Sequence, residues 1–167
     1  TDPDSFTAVA RQISGYKLNY VIRLGAGKTA YSILLALLLS TCLPLARAAT
    51  LRVGSSEAII RIADAARLAK DGDTVEILPG DYRGDVAVWE QRRLTVRGVN
   101  GAARLFADGQ SAEGKAIWVI RRGVFDVANV DFIGAKVEDG NGAGIRFEGG
   151  QLRLRDCLFW GNQMGLI

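Results

Sequence analysis

The chain has 167 residues, long enough for one domain with a buried core, and contains no histidine at all. That absence removes serine-histidine and cysteine-histidine catalysis and the commonest zinc ligand. The net charge of +3 arises from 21 basic and 18 acidic residues, but the first 48 positions hold five basic (Arg11, Lys17, Arg23, Lys28, Arg47) and two acidic (Asp2, Asp4), leaving sixteen of each. The remainder is neutral and of mixed sign, with no basic and aromatic stripe, which argues against a nucleic-acid partner.

Taken from the start, Thr1 is not a natural initiator and the first methionine is Met164, so the upstream boundary is expected to be artificial. Tyr31 to Ala46 is apolar but only about 16 residues long and interrupted by Pro44, where a membrane span needs about 20. Arg23 and Lys28 precede it, and Ala46-Arg47-Ala48 follows in the small-x-small pattern of a signal-peptidase site. The expectation is a leader over 1–48 cleaved after Ala48, with export to the periplasm or exterior and membrane contact through the leader only. An uncleaved anchor and a lipoprotein through Cys42 are the alternatives; Thr41 is too large for a good lipobox. Gly25-Ala26-Gly27-Lys28-Thr29 looks like the end of a phosphate-binding loop, but Ile22 stands where that loop needs its first glycine, so no nucleotide is expected.

Residues 55–70 read as an amphipathic helix, with serine as N-cap, Glu57 in the first turn and Ile59, Ile62, Ala63, Ala66 and Ala69 on one face. Asp71-Gly72 ends it. Beyond this point the chain repeats itself. Phe125, Val127, Asn129, Val130, Phe132 and Gly134 are answered 27 positions later by Leu152, Leu154, Asp156, Cys157, Phe159 and Gly161. Ile117 and Val119 are matched to Ile145 and Phe147, and Gly144-Ile145 to Gly165-Leu166. Each unit has three short alternating runs, such as Ile145-Arg146-Phe147, Leu152-Arg153-Leu154 and Cys157-Leu158-Phe159, which is the pattern of half-buried strands. Earlier partners are Val86 and Val88, Leu94 and Val96, and Ala103 and Leu105; Val75 and Ile77 are matched to Ala102 and Arg104. Fixed-period self-similarity of this kind predicts a solenoid with three strands per coil, all-β apart from the helix, which would cap the exposed first coil.

The segment Asp71-Gly72-Asp73-Thr74-Val75-Glu76-Ile77-Leu78-Pro79-Gly80-Asp81-Tyr82, then Leu94-Thr95-Val96-Arg97-Gly98, then the two coils above, resembles the right-handed parallel β-helix family, the pectate-lyase-like group. The resemblance covers roughly residues 55–167 and implies a right-handed coil. That group contains lyases, hydrolases and adhesins, so it implies no single activity. The column is left open after Ile167, and the chain is read as the N-terminal part of a longer protein, truncated on both sides, with 49–167 as the start of its β-helix domain.

Two insertions, 107–116 and 135–143, both fall between the third run of one coil and the first run of the next, so they are expected to emerge at one corner and stack. Insertions gathered on one face of a repeat protein often build its binding face. In the enzymes it resembles, this corner and the outward residues of the adjoining strand form a polysaccharide cleft. By alternation, those outward residues are Trp89, Trp118, Arg146 and Glu148: indoles to stack a sugar ring and a guanidinium to fork a uronate carboxylate. Glu138, Asp139 and Asn141, interleaved with Gly140 and Gly142, are candidate Ca2+ ligands as against a plain solvated turn. Arg121-Arg122 is read as a solvent-facing turn, Asn129 and Asp156 as a ladder bonding the backbone, and Cys157 as a small core residue. Neither the paired carboxylates of a glycoside hydrolase nor a lyase base with its cation can be matched to positions here, and in such enzymes these often lie on later coils. The expected function is an exported β-helix that binds a polysaccharide, a uronic-acid polymer being the candidate, with cleavage left open; the alternative is a non-enzymatic adhesive or structural β-helix.

Overall fold

The computed structural model describes residues 48–167. The expected leader, with its Cys42, the Gly25 to Thr29 motif and the cleavage pattern up to Arg47, lies outside them; only its last residue, Ala48, is described. Thirteen short strands and one helix follow: β1 (Thr50–Val53), α1 (Ile62–Leu68), β2 (Thr74–Ile77), β3 (Gly80–Arg83), β4 (Ala87–Trp89), β5 (Arg93–Gly98), β6 (Ala103–Phe106), β7 (Ala116–Ile120), β8 (Gly123–Ala128), β9 (Val130–Ile133), β10 (Ala143–Phe147), β11 (Gly150–Arg155), β12 (Leu158–Trp160) and β13 (Met164–Leu166). They form three all-parallel sheets, β1-β2-β5-β8-β11, β3-β6-β9-β12 and β4-β7-β10-β13, here the first, second and third sheets. From β2 onward each coil contributes one strand to each sheet, while the opening coil supplies only β1 and the helix, so the molecule is a parallel β-helix with three strands per coil.

The pairings carry the 27-residue repeat: Phe125 lies beside Leu152, Val127 beside Leu154, and Phe132 beside Phe159. The shorter 21-residue step recurs where Ile145 pairs with Leu166. At the bend after β8, Asn129 has φ 56° and Asp156, its equivalent, φ 52°. Asn129 holds that left-handed bend by donating from Nδ2 to the carbonyls of Gly98 (3.1 Å) and Gly101 (2.8 Å) in the coil before. The expected backbone ladder is therefore present at Asn129. Cys157 lies above Val130, packed against the core but only half-buried, and burial pushes its thiol up.

Three sequence matches are corrected by the pairing. Val75 and Ile77 belong to the first sheet, 21 residues before Val96 and Gly98, and not to the second. The place they were given is held by β3, whose Gly-Asp-Tyr-Arg carries a single large apolar residue and so shows no alternation. Trp118, not Ile117, is the partner of Ile145, and Ile120, not Val119, that of Phe147. The helix is also shorter than expected. Residues 55–61 form a turn in which Ile59 bridges back to Val53, Ile60 is exposed, and the expected serine cap is absent. Instead the buried carboxylate of Asp85 accepts from the backbone N–H of Ile62 (2.6 Å) and Ala63 (3.0 Å). At the other end the Gln91 amide donates to the carbonyls of Ala66 and Ala69, both at 2.9 Å. Asp85 and Gln91 flank β4, so the next coil supplies both caps and sets where the helix begins. Ile62, Ala65, Ala66 and Ala69 face the column, against β1 and β4, and close its first coil.

Inside the column, Trp89 and Trp118 meet edge to face at 5.2 Å, Trp118 and Phe132 at 4.9 Å, and Phe132 and Phe159 stack at 5.0 Å. This interior aromatic file, flanked by Leu94, Val96, Phe125, Val127 and Ile145, is the core.

Candidate functional site

The two insertions do emerge at one corner, between the second and third sheets, and are tied together there. Lys115 Nζ donates to Asp139 at 2.9 Å, and the Ala143 N–H donates to the Lys115 carbonyl at 2.9 Å. Residues 107–116 then fold over the outer face of the third sheet, where Ala112 packs with Val86, Val88 and Val119. The sheet at β7 is thus buried on both faces, and all five residues Ala116–Ile120 are inaccessible.

This overturns the orientation expected of the two tryptophans. Trp89 and Trp118 are both 0% exposed and point inward, so neither offers a stacking surface. The run Ala116–Ile120 is apolar at every position, and a strand covered on both faces carries no alternation from which to read its inner side. Neither indole N–H has a hydrogen-bond partner, a further mark of residues used for bulk.

Arg146 and Glu148 do lie outside the column, where β10 ends. Glu148 Oε2 accepts from Arg121 Nη1 at 2.9 Å and Oε1 from Arg146 Nε at 3.2 Å, while Arg121 also pairs with Glu113 of the covering loop. The Arg121 guanidinium, aided by Arg146, holds the Glu148 carboxyl below its usual range. Glu148 is therefore a fixed anion that orients two arginines, the opposite of what a proton donor needs. Arg121 is half-buried in these contacts, which corrects its reading as a solvent-facing turn residue; Arg122 is exposed and has no ion pair among the described residues.

Beside this cluster, at the corner between the third and first sheets, an open depression of about 480 Å³ is lined by Arg92, Arg122, Gly123, Glu148, Gly149 and Gly150. Its floor depends on two glycines stacked in register, Gly123 and Gly150. A Cβ on Gly150, at φ 106°, would stand 2.1 Å from the Gly123 carbonyl oxygen, and one on Gly123 would stand 2.6 Å from that of Arg92. Only glycine lets the turns of successive coils stack this closely here, which sets Arg92 and Arg122 on adjacent turns beside the depression. Arg92 is aimed by Asp71, whose carboxylate accepts from both the Arg92 backbone N–H (2.7 Å) and Nε (3.0 Å). Sequence reasoning missed Arg92 and Arg122 because the depression joins turns from different coils, although the Gly149-Gly150 pair following Glu148 was a visible signal.

In the other loop, Asp139 accepts from Lys115 and from Asn141 Nδ2 (3.1 Å), and the lysine holds its carboxyl below the usual range. A cation is already in place on that carboxylate. Among the described residues no group of three or more acidic, cysteine or histidine side chains is arranged to hold a metal ion. The class of protein this geometry defines is a parallel β-helix with a guanidinium-walled corner. No protein-family model, curated protein or solved structure matches the chain.

Proposed function

We propose that this β-helix binds an acidic polysaccharide, taking uronate carboxylates at the corner formed by Arg92, Arg122, Arg146 and Glu148. The observation that carries the reading is the glycine-floored depression with arginine walls. A guanidinium receives a carboxylate as a two-pronged fork, and Arg122 has its donors uncommitted among the described residues. Glu148, saturated by Arg121 and Arg146, holds neighbouring donors in place. Its depressed pKa speaks for binding over acid-assisted cleavage. Export through the N-terminal leader belongs to the same proposal, since such polymers lie outside the cell.

Titration of the protein with oligogalacturonate and with neutral oligosaccharides, by calorimetry, tests it. Saturable binding of the uronate, weakened about tenfold in Arg122→Ala and by salt, supports the reading. Absence of uronate binding, or binding indifferent to both Arg122→Ala and Arg146→Ala, overturns it and leaves an adhesive or structural solenoid as the better account. Growth of ultraviolet absorbance from unsaturated products during the titration would add lyase activity.

A further inference from the structure

The outer face of the second sheet carries two parallel rows set by strand register. One is Arg83, Phe106, Ile133 and Trp160; the other is Asp81, Arg104, Asp131 and Leu158. Neighbouring members of each row sit on adjacent strands, about 4.8 Å apart. The first row begins as a built stack, with the Arg83 guanidinium 4.3 Å over the Phe106 ring and held by Asp108 at 3.3 Å. It ends at Trp160, which is 67% exposed, the one tryptophan among the described residues outside the core. In the second row Arg104 is bound to Asp81 at 2.6 Å, while Asp131 has no ion pair among the described residues.

From this arrangement we propose a second glycan contact: the outer face of the second sheet is a stacking track for a neutral stretch of linear polysaccharide running along the solenoid axis, with Trp160 as its principal ring. A pyranose presents C–H groups on its faces and hydroxyls around its rim. Its face needs an exposed aromatic ring, and its rim needs acceptors one side chain away. Trp160 supplies the first, with the half-buried Ile133 extending the apolar surface beside it, and Asp131, one strand from Leu158 and two residues from Ile133, supplies the second. Asp81 and Asp108 are neutralised by Arg104 and Arg83, which leaves Asp131, next to the apolar end of the row, as the charge on the face without a partner among the described residues; a carboxylate there disfavours a uronate, so this track and the arginine corner select different sugars. A protein partner would be expected to bury a wider apolar core than this single row, whose companion row is largely charged. The proposal shares with the previous one only the class of ligand.

Tryptophan fluorescence tests it directly, because Trp89 and Trp118 are sealed in the core and a ligand-dependent change reports Trp160. The full chain would be titrated with cellohexaose, xylohexaose, mannohexaose and hexagalacturonate. The expected result is a saturable blue shift with at least one neutral hexasaccharide, weakened about tenfold or more in Trp160→Ala as read by calorimetry, the scale of loss for truncating an interface tryptophan. Asp131→Asn should weaken it several-fold, Arg122→Ala should leave it unchanged, and the urea midpoint of Trp160→Ala should match the parent. The track is overturned if no neutral hexasaccharide moves the emission, or if Trp160→Ala binds as the parent does. A red shift on dilution of the ligand-free chain also overturns it, since a second copy would then cover the face. Uronate binding lost in Arg122→Ala while neutral sugars give nothing would refute the track and leave the arginine corner standing; neutral binding without uronate binding would do the reverse.

Discussion

Replacing Trp118 by alanine separates a core role from a ligand platform. The side chain is 0% exposed and touches Trp89 and Phe132 edge to face at 5.2 and 4.9 Å. Truncating a fully buried tryptophan costs about 3–5 kcal/mol, a range that already contains the lost ring contacts. Against this, the variant no longer buries an indole N–H without a partner, a relief of about 1 kcal/mol. The net loss is then about 3 kcal/mol, a large share of the 5–15 kcal/mol that typically holds a domain. With a urea slope of about 2 kcal/mol per molar, the midpoint falls by about 1.5 M. Trp118→Phe keeps a ring at the same place and drops the unpaired N–H, so it should cost less than about 1.5 kcal/mol. Urea unfolding followed by far-ultraviolet circular dichroism reads both variants. An alanine variant that unfolds at the parental midpoint yet loses saccharide binding would refute the reasoning, for the residue would then be acting at a surface.

Other outcomes follow from the same contacts. Asp85→Ala removes the acceptor for the Ile62 and Ala63 N–H groups and should destabilise by about 1–2 kcal/mol, with Asp85→Asn milder because one acceptor survives; thermal unfolding distinguishes them. Gly150→Ala drives a Cβ to 2.1 Å from the Gly123 carbonyl oxygen at a φ of 106°, and should cost more than about 2 kcal/mol and deform the arginine corner, so both unfolding and uronate binding should report it. Glu148, Asp139 and Asp71 all have carboxyl pKa values lowered in the folded state by arginine or lysine partners or, for Asp71, first by the Arg92 backbone N–H. Their stabilisation is present above the ordinary carboxylate range and is lost as pH falls through the depressed folded values. Stability should therefore decline on acidification below about pH 4 and be insensitive between about pH 6 and 8; a midpoint that rises as acid is added would contradict these pairings.

The sequence was most legible where strands are half-buried. In β8, β9 and their equivalents β11 and β12, alternation distinguishes inner from outer residues, and a 27-residue spacing aligns Phe125 with Leu152 and Phe132 with Phe159. The insertion corner was legible for the same reason, since added length must leave the coil where the repeat is interrupted. The face of β7 was not legible. Ala116–Ile120 is apolar throughout, and which of its residues look inward depends on residues 107–116 lying over the outside, a contact that no local pattern encodes. For that reason alternation points the tryptophans to a cleft they do not reach, whereas Arg146 and Glu148, polar residues at the end of a strand that the loop leaves partly open, lie outside as alternation predicts.

By itself, then, the sequence determined the solenoid and its three strands per coil, because parallel stacking demands a periodic inner file and periodicity survives in one dimension. Tertiary structure alone decided the start of α1, which waits on Asp85 and Gln91 from the next coil. It also decided the corner where Arg92, Arg122 and the stacked glycines converge. Those residues come from turns about 30 positions apart, and only the pitch of the coil, about 4.8 Å, makes them neighbours.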